Sequence, residues 1–440
     1  MVFAHTTGAR AIASLTAVIL LTSAGVSSSR AATVAKPKAT KAATVGGVAK
    51  TESALTGAKG TWTGSPTFTY KWYACTVAGT AKTAVPSGCT AIPGATKPAF
   101  TIAAAQEGKH LRFATTAKNR GGTTISVSAA TAKVTSPYTL LWSDEFNGPA
   151  GLSSSVQTSN EADDTSKPWK TTISGAGGGN YERQYYTDGV VQYNTDGSVA
   201  KYAVQLDGNG NLQLNAAKPQ SANDNHAATG VGASCWYGTA CEFLSGRIDT
   251  RDRIGFKNGL LEARVKIPSD SNTWPAFWML GANYGSVGWP SSGEIDIMET
   301  AFTPGRAYTY FGSLHAPYYY GGFPMTKVMP DFNLYSGYHT FGVLRTPSKV
   351  EFRFDGKPFY TATKAAATAL APAGADPARI WPFDQEFYMI LNLAMGGTLG
   401  GFSGSGTANG SVGPSATGGT LGVDWVRFSS VNGEGEVIRH

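Results

Sequence analysis

Three carboxylates alternate with apolar residues over one short segment, Gly293-Glu294-Ile295-Asp296-Ile297-Met298-Glu299. This alternation predicts a half-buried strand, in which acids are costly to bury unless they are used. On a regular strand Glu294 and Asp296 share a face, whereas Glu299 points to the opposite face. A β-bulge near Ile297 and Met298 would return Glu299 to the shared face. The spacing therefore predicts three acids in line on a concave sheet.

Such a row of acids suits the hydrolysis of a glycosidic bond with retention of configuration. That reaction needs two carboxyl groups about 5 to 5.5 Å apart, one to attack the anomeric carbon and one to protonate the leaving oxygen. Our hypothesis is that Glu294 is the nucleophile and Glu299 the general acid and then base. Asp296 would orient these groups and raise the pKa of the acid. Two alternatives stay open, namely a solvated acidic strand face and a divalent-cation site.

The rest of the chain indicates a globular, all-β protein that could position these acids. Its 440 residues are 42% hydrophobic and only 15% charged, and they include 54 glycines. This composition excludes a disordered polyelectrolyte and disfavours an all-helical fold. Strand-like runs separated by turn residues dominate, and the one predicted helix is a minor element around Thr363–Leu370.

The N-terminus is typical of an exported protein. An apolar run follows Arg10 and ends in small residues, which predicts a signal peptide over residues 1–31. A retained membrane anchor is the alternative, but the run is shorter than the roughly 20 residues that span a bilayer. The protein is therefore expected to be secreted, with no membrane contact after cleavage. In that environment Cys75 with Cys89 and Cys235 with Cys241 predict two local disulfides rather than metal sites.

Charge divides the mature chain into two modules. Residues 32–136 hold 13 basic residues against two acids, whereas the remainder holds 21 basic against 27 acidic residues. The predicted organisation is a linker over 32–50, a small β-sandwich over 51–136, a large β-sandwich over 137–430 and a tail over 431–440. The lysines are scattered rather than clustered, so we expect no nucleic-acid partner.

Within the first module, four stretches resemble bacterial immunoglobulin-like modules. The resemblance implies a spacer or adhesion unit. The stretches are Gly60–Pro66, Tyr70–Cys75, Ile92–Ala95 and Ala117–Gly122.

The second module resembles glycoside hydrolase family 16, in its laminarinase-like branch. The resemblance implies a jelly-roll sandwich that cleaves internal β-1,3-linked glucan bonds with retention. We expect β-1,3-glucan or mixed-linkage β-glucan as the substrate, a monomer, and no catalytic cofactor. The family's nucleophile, middle aspartate and acid/base fall on Glu294, Asp296 and Glu299. The blocks that carry the resemblance, in chain order, are Trp142–Gly148, Glu182–Thr187, Ser245–Ile248, Trp274–Leu280, Trp289–Pro290, Gly293–Glu299, His315–Tyr318, Phe387–Gly397 and Val423–Arg427.

The same resemblance implies the substrate-binding residues. Sugar rings stack on aromatic side chains and need polar groups around their hydroxyls. The positions that match the family's binding residues are Asn180, Arg247, Trp274, Trp278, Trp289 and His315. The family also implies a structural calcium, held partly by Glu145 and Asp424.

Two departures from the family bear on substrate choice. The glycine-rich segment before Asn180 lacks an aromatic residue, and Arg345 stands where the family commonly has tryptophan. Two other functions stay open: a glycan-binding protein without turnover on the same fold, and a family member that acts on a galactan-type polymer. The intact acids argue against the binder, and the acidic balance of the module argues against anionic polymers.

Overall fold

The computed structural model describes residues 33–220, 234–237, 241–270, 272–300, 310–329, 334–399 and 416–440. The predicted signal peptide, residues 1–31, lies outside these ranges. Within them, no helix has the length and apolar character needed to cross a membrane. The chain divides into two compact units, Met1–Thr135 and Ser136–His440.

The N-terminal unit is built from short antiparallel strands around a small core. Strands β5 (Thr67–Cys75) and β8 (His110–Asn119) pair at the centre of a four-stranded sheet. Its order is β6-β5-β8-β9, with β6 (Cys89–Ala91) and β9 (Gly122–Val127) at the edges. Trp72 and Phe113 lie opposite each other on these strands and are fully buried. The predicted Cys75–Cys89 disulfide is confirmed and joins β5 to β6. The strands are β1 Lys38–Lys41, β2 Thr44–Gly46, β3 Ala54–Ala58, β4 Thr61–Thr63, β5 Thr67–Cys75, β6 Cys89–Ala91, β7 Ala99–Thr101, β8 His110–Asn119 and β9 Gly122–Val127.

Over the residues that the structure describes, the C-terminal unit contains most of the strands and three short α-helices. Its first strands are β10 Tyr138–Asp144, β11 Val156–Gln157, β12 Trp169–Thr171, β13 Gln184–Tyr186, β14 Val190–Tyr193, β15 Val199–Tyr202, β16 Val204–Leu206, β17 Leu212–Ala217, β18 Phe243–Ser245, β19 Arg247–Asp249 and β20 Ile254–Lys257. Then follow β21 Gly259–Lys266, β22 Thr273–Gly281, β23 Glu294–Glu299, β24 Tyr310–His315, β25 Met325–Met329, β26 Tyr338–Thr346, β27 Lys349–Phe354, β28 Lys357–Thr363, β29 Phe387–Met395, β30 Gly418–Val431 and β31 Glu436–Arg439. The helices are α1 Tyr284–Val287, α2 Lys364–Leu370 and α3 Pro377–Ile380.

Among the described residues, β14 and β15 pair only with each other, and the other strands of this unit form two ten-stranded sheets. The predicted all-β jelly-roll sandwich is confirmed. Sheet A has the order β13-β18-β17-β30-β21-β26-β27-β28, with β10 and β16 paired at its side. Sheet B has the order β11-β12-β19-β29-β22-β23-β24-β25, with β20 and β31 beside it. Both sheets contribute to one apolar core, to which sheet A gives Leu261, Phe341 and Val426 and sheet B gives Phe277, Ile295 and Leu391.

Alternation along the strands leaves one face of sheet B outside this core. In β29, Met389, Leu391 and Leu393 belong to the core, so the residues between them lie on the other face. Helix α2 begins where Thr363 Oγ1 accepts a hydrogen bond from the backbone of Ala366 at 3.1 Å, which confirms the predicted helix.

Candidate active site

Strands β22 and β23 pair with one residue of β23 left over. Phe277 lies opposite Met298. The next residue of β22, Trp278, lies opposite Asp296, so Ile297 is skipped. The pairing of β23 with β24 shifts over the same stretch. The predicted β-bulge is therefore confirmed at Ile297.

The bulge brings all three acids to the outer face of sheet B. Ile295, Ile297 and Met298 pack in the core between the sheets. The acids lie on the other side of the strand, where the negative charges of Asp296 and Glu299 raise the pKa of Glu294. The structure thus brings the three predicted catalytic side chains together in one row.

Glu294 lies between a tryptophan and a histidine. Its carboxylate accepts a hydrogen bond from the side chain of Trp289. His315 is its cross-strand partner on β24, and His315 Nε2 lies 3.7 Å from Glu294 Oε1. Trp289 is 44% exposed, so its ring offers an open aromatic surface directly beside this carboxylate.

His315 places its Nε2 atom close to two of the acids. Its Nδ1 accepts a hydrogen bond from the backbone N–H of Gly321 at 3.1 Å, so we assign the proton to Nε2. Nε2 lies 3.0 Å from Asp296 Oδ2, although that oxygen forms no hydrogen bond of good geometry within the described residues. The contact is therefore electrostatic, and His315 opposes the rise in the pKa values of Glu294 and Glu299.

Glu299 is held by a buried tryptophan. Trp274 Nε1 donates a hydrogen bond to Glu299 Oε1 at 3.0 Å. We expected Trp274 to bind sugar, but only 5% of it is exposed because Phe311, Ala394 and Leu399 pack around it. Trp274 instead positions the carboxyl group of Glu299.

Burial dominates the protonation of all three acids. It raises the pKa of Glu299 to about 8, with a further contribution from the negative charge of Asp296. Burial also raises the pKa of Asp296 to about 8. The pKa of Glu294 is raised by burial and then by Asp296, against the opposing effects of His315 and Trp289. Three carboxylates this close cannot all ionise at neutral pH, so protons are retained in the row.

Two further predicted binding residues stack on each other next to the acids. The guanidinium of Arg247 lies 5.0 Å from the ring centroid of Trp278, and Trp278 is only partly buried. Trp278 lies opposite Asp296, and its Nε1 donates to Asn392 Oδ1 at 2.7 Å. Asn180 lies on a separate loop, where its carbonyl accepts a hydrogen bond from the backbone of Thr398 at 2.8 Å.

A fourth buried acid, Glu182, was not predicted as a site residue. It is 7% exposed, and its negative charge raises the pKa of Glu299. The hydroxyl of Tyr186 donates to Glu182 Oε2 at 3.3 Å and accepts from Asn392 Nδ2 at 3.0 Å. Because Asn392 also binds Trp278, a hydrogen-bonded chain links Glu182 to the tryptophan opposite Asp296. The resemblance of the Glu182–Thr187 block to the family was the only sequence signal for a role of Glu182 at this site.

The two predicted calcium ligands are paired with arginines. Arg427 donates two hydrogen bonds to Glu145, at 3.0 and 2.8 Å from its Nε and Nη2. Arg264 forms an ion pair with Asp424. Ca²⁺ needs six to eight oxygen ligands, and two carboxylates that already bind guanidinium groups do not supply such a set. The side chains at Glu145 and Asp424 therefore do not fit the predicted calcium site.

The alternative of a cation at the acid row has a geometric basis. Among the described residues, Glu294, Asp296 and His315 place one potential ligand atom each within 4.8 Å of one another. However, two oxygens and one nitrogen are far fewer than Ca²⁺ prefers, and His315 directs a proton rather than a lone pair at this point. The donor set fits a hydrogen-bonded acid site better than a cation site.

The departure at Arg345 does not touch this face. Arg345 is 2% exposed, lies 4.7 Å from the ring centroid of the core residue Phe387, and donates to the carbonyls of Phe256 and Gln385. Burial lowers its pKa to about 9. Its position in the interior means that this difference from the family does not alter the cleft.

Comparisons with known proteins agree with this site. The sequence profile of Glycosyl hydrolases family 16 matches residues 191–381, which include the acids of β23. A glucan endo-1,3-beta-glucosidase A1 from Niallia circulans is 31% identical over 69% of this chain, which spans 39% of that protein's length. A beta-glucanase from Rhodothermus marinus is 30% identical over 66% of this chain and 84% of its own length.

Solved structures include similar chains. The laminarinase catalytic domain from Thermotoga maritima MSB8 is 28% identical, with a TM-score of 0.49 over 67% of this chain and 98% of that domain. The Rhodothermus relative is similar to this chain over most of its own length, so the two proteins share a family. The chain belongs to family 16 of the glycosyl hydrolases.

Proposed function

We propose that this protein is a secreted, endo-acting, retaining hydrolase of β-1,3-glucan or mixed-linkage β-glucan. One observation carries the proposal: the bulge at Ile297 aligns Glu294, Asp296 and Glu299 on one face of sheet B, beside the exposed ring of Trp289. The names of the Niallia and Rhodothermus relatives support a β-glucan as the substrate.

The proposed reaction proceeds in two displacements. In the first, a carboxylate oxygen of Glu294 forms a bond to the anomeric carbon while the glycosidic C–O bond breaks and Glu299 gives its proton to the leaving oxygen. In the second, Glu299 takes a proton from water, whose oxygen replaces Glu294 at the anomeric carbon. The pKa of Glu299, at about 8, keeps this group protonated for the first step at neutral pH.

The neighbouring groups have distinct parts in this mechanism. Asp296 lies between the two glutamates in the sequence and is buried, so it keeps the proton that the crowded row cannot release and leaves the negative charge to Glu294. The ring proton of His315 and the indole N–H of Trp289 stabilise the ionised form of Glu294 that attacks. No metal or organic cofactor is needed for these steps.

Sugar rings would be held by the aromatic and polar groups on the same face. The open surface of Trp289 suits the apolar face of a glucose unit next to Glu294. Trp278, stacked with Arg247, provides a second surface together with a cationic hydrogen-bond donor. Asn180 would bind a hydroxyl group of a sugar unit further along the bound glucan.

The N-terminal unit is proposed to be an immunoglobulin-like spacer without catalytic groups. Its strands surround the buried side chains of Leu55, Trp72, Leu111 and Phe113 and are fixed by one disulfide. Secretion by the predicted signal peptide agrees with the two disulfides, since such bonds persist in oxidising compartments. We further propose that the protein acts as a monomer.

The experiment is a reducing-end assay on laminarin and barley mixed-linkage glucan. The wild-type protein should release reducing ends, and Glu294→Gln should lower turnover by at least roughly a thousandfold while the circular dichroism spectrum stays unchanged. Glu436→Gln, the same chemical change at an exposed residue of β31, is the matched control and should be as active as wild type.

Each competing function predicts another result. A glycan-binding protein would bind laminarin without releasing reducing ends from any polymer. A galactan-type enzyme would release them from agarose or a β-galactan and not from the two glucans. Wild-type turnover in Glu294→Gln would contradict the assignment of the nucleophile.

A further inference from the structure

Two exposed aromatic side chains lie side by side next to Asn180. Tyr181 is 48% exposed and Trp236 is 41% exposed. Their ring centroids are 5.1 Å apart and their planes are inclined by 66°. Trp236 and Tyr181 come from loops that are distant in sequence, so the fold brings them together. We call this pair the aromatic shelf.

The shelf is held in a fixed position. The indole N–H of Trp236 donates to the carbonyl of Glu182 at 2.8 Å, and its backbone N–H donates to Gly175 at 2.9 Å. The predicted Cys235–Cys241 disulfide is confirmed, and it anchors the Trp236 segment to the core. A tryptophan tied at its ring, backbone and neighbouring residue keeps one orientation, so little conformational entropy is lost when a ligand stacks on it.

Glycine allows the close packing beneath the Trp236 ring. A methyl group on Gly177 would come within 2.3 Å of the ring, and the φ angle of Gly177 is +66°. One side of the ring therefore rests on bare backbone, while 41% of the residue stays open to solvent. Tyr181 itself has a φ of +62°, a conformation that costs a non-glycine residue free energy. The strained backbone at Tyr181 and the exposed aromatic surface both lower stability, which favours a binding role for the pair.

The shelf is continuous with the active site. Asn180 directly precedes Tyr181, and a methyl group on Gly397 would come within 3.1 Å of the Asn180 carbonyl and 2.9 Å of the Trp274 ring. Trp274 in turn binds Glu299. The Glu182 carbonyl that holds Trp236 belongs to the buried acid whose charge acts on Glu299. The shelf thus lies one residue beyond a predicted sugar-binding position.

We propose that the aromatic shelf is an additional subsite that stacks a distal glucosyl unit of a bound β-glucan chain. This inference rests on the proposed function, because it extends the same cleft. Aromatic rings of this kind suit the CH face of an uncharged pyranose. Two half-exposed rings offer far less than the roughly 800 Å² per partner of a stable protein interface, which favours a sugar over a protein as the occupant.

The test is a titration of laminari-oligosaccharides of increasing length by calorimetry. All variants carry Glu294→Gln, so that the ligands are not hydrolysed. Trp236→Ala should weaken binding roughly tenfold for the oligosaccharides long enough to reach the shelf, and should leave the shortest bound oligosaccharides unaffected. Tyr181→Ala should give a smaller loss with the same dependence on length.

Two further variants separate stacking from structural damage. Trp236→Phe keeps an aromatic face but loses the hydrogen bond to the Glu182 carbonyl, so it should retain most of the affinity for long oligosaccharides. Trp425→Ala is the matched control. Trp425 is a partly buried tryptophan of sheet A that stacks with Arg427 at 4.2 Å, and its removal should leave binding at every length unchanged.

The outcomes distinguish the subsite from the function as a whole. Equal losses on short and long oligosaccharides in Trp236→Ala, the same loss in Trp236→Phe, or no loss at all would overturn the subsite. If the wild-type protein hydrolyses laminarin and the shelf variants bind normally, only the subsite fails. If length-dependent binding is lost as predicted but the wild-type protein hydrolyses no β-glucan, the subsite stands and the proposed function fails.

Discussion

Replacing Glu299 by glutamine should make the protein more stable, by an amount that grows with pH. The pKa of Glu299 is raised from an ordinary 4.5 to about 8. Each tenfold change in proton affinity corresponds to about 1.4 kcal/mol, so ionising this group in the folded state costs about 5 kcal/mol. Glutamine has nearly the same shape, still accepts the hydrogen bond from Trp274, and does not ionise.

The sign follows from the protons bound in each state. Below pH 4.5, Glu299 is protonated in both the folded and the unfolded chain and does not affect the pH dependence. Between pH 4.5 and 8 only the folded state keeps the proton, so the free energy of unfolding falls as pH rises. At pH 7 the wild-type protein should therefore be about 3 kcal/mol less stable than Glu299→Gln, and near pH 4 the two should be equal.

Urea denaturation at pH 4, 7 and 9 measures this difference, with intrinsic tryptophan fluorescence as the signal. Glu436→Gln, on the exposed side of β31, serves as the acid-to-amide control and should follow the wild-type protein at every pH. A constant difference between Glu299→Gln and wild type at all three pH values would refute the reasoning, because it would show that Glu299 ionises as easily in the folded chain as in the unfolded one.

Three other results are expected. The value of kcat/KM should fall as pH rises through about 8, because Glu299 then loses the proton that it must donate. Trp274→Phe should move this fall to higher pH by roughly half to one unit, because the lost N–H donor favoured the charged form of Glu299. Glu182→Gln should move the same fall to lower pH, because it removes a negative charge that raises the pKa of Glu299. An unchanged pH profile of laminarin hydrolysis in either variant would contradict the assigned contacts. Treatment with EDTA should change turnover and thermal midpoint by less than the assay error, whereas a large loss restored by Ca²⁺ would reinstate the cation site that Glu145 and Asp424 do not fit.

The acid row could be predicted because its cause is local. Alternation of acids with Ile295, Ile297 and Met298 specifies which face of the strand is buried, and the odd offset of Glu299 requires one extra residue in the strand. Both disulfides could be predicted for a similar reason, since each joins cysteines that are close in sequence. Short-range patterns of this kind leave few alternatives.

The surroundings of the row depend on contacts between distant parts of the chain. Glu182 reaches the site through Tyr186 and Asn392, which belong to strands far apart in sequence. The burial of Trp274 comes from residues of β24, β29 and the segment after it, so a pattern within β22 alone could not reveal it. The sequence alone could not show that this tryptophan is covered by other residues.

Long-range contacts of arginines explain two further differences from expectation, at the predicted calcium ligands and at Arg345. Arg427 follows Asp424 by three residues, yet it binds Glu145, which lies near the start of the same domain in the sequence. Asp424 is bound instead by Arg264 of the neighbouring strand. A sequence pattern cannot tell which cation reaches which acid. Arg345 likewise lies between the sheets because backbone carbonyls accept its hydrogen bonds, which a comparison of residue types does not predict.

The anomeric configuration of the first product tests the central claim most directly. Proton NMR of laminarin during the first minutes of hydrolysis distinguishes a newly formed β reducing end from an α one. Two displacements by Glu294 and Glu299 on one aligned row predict that the β anomer appears first and that the α anomer grows only by later mutarotation. Initial formation of the α anomer would show a single displacement by water, and would contradict the assignment of Glu294 as the nucleophile.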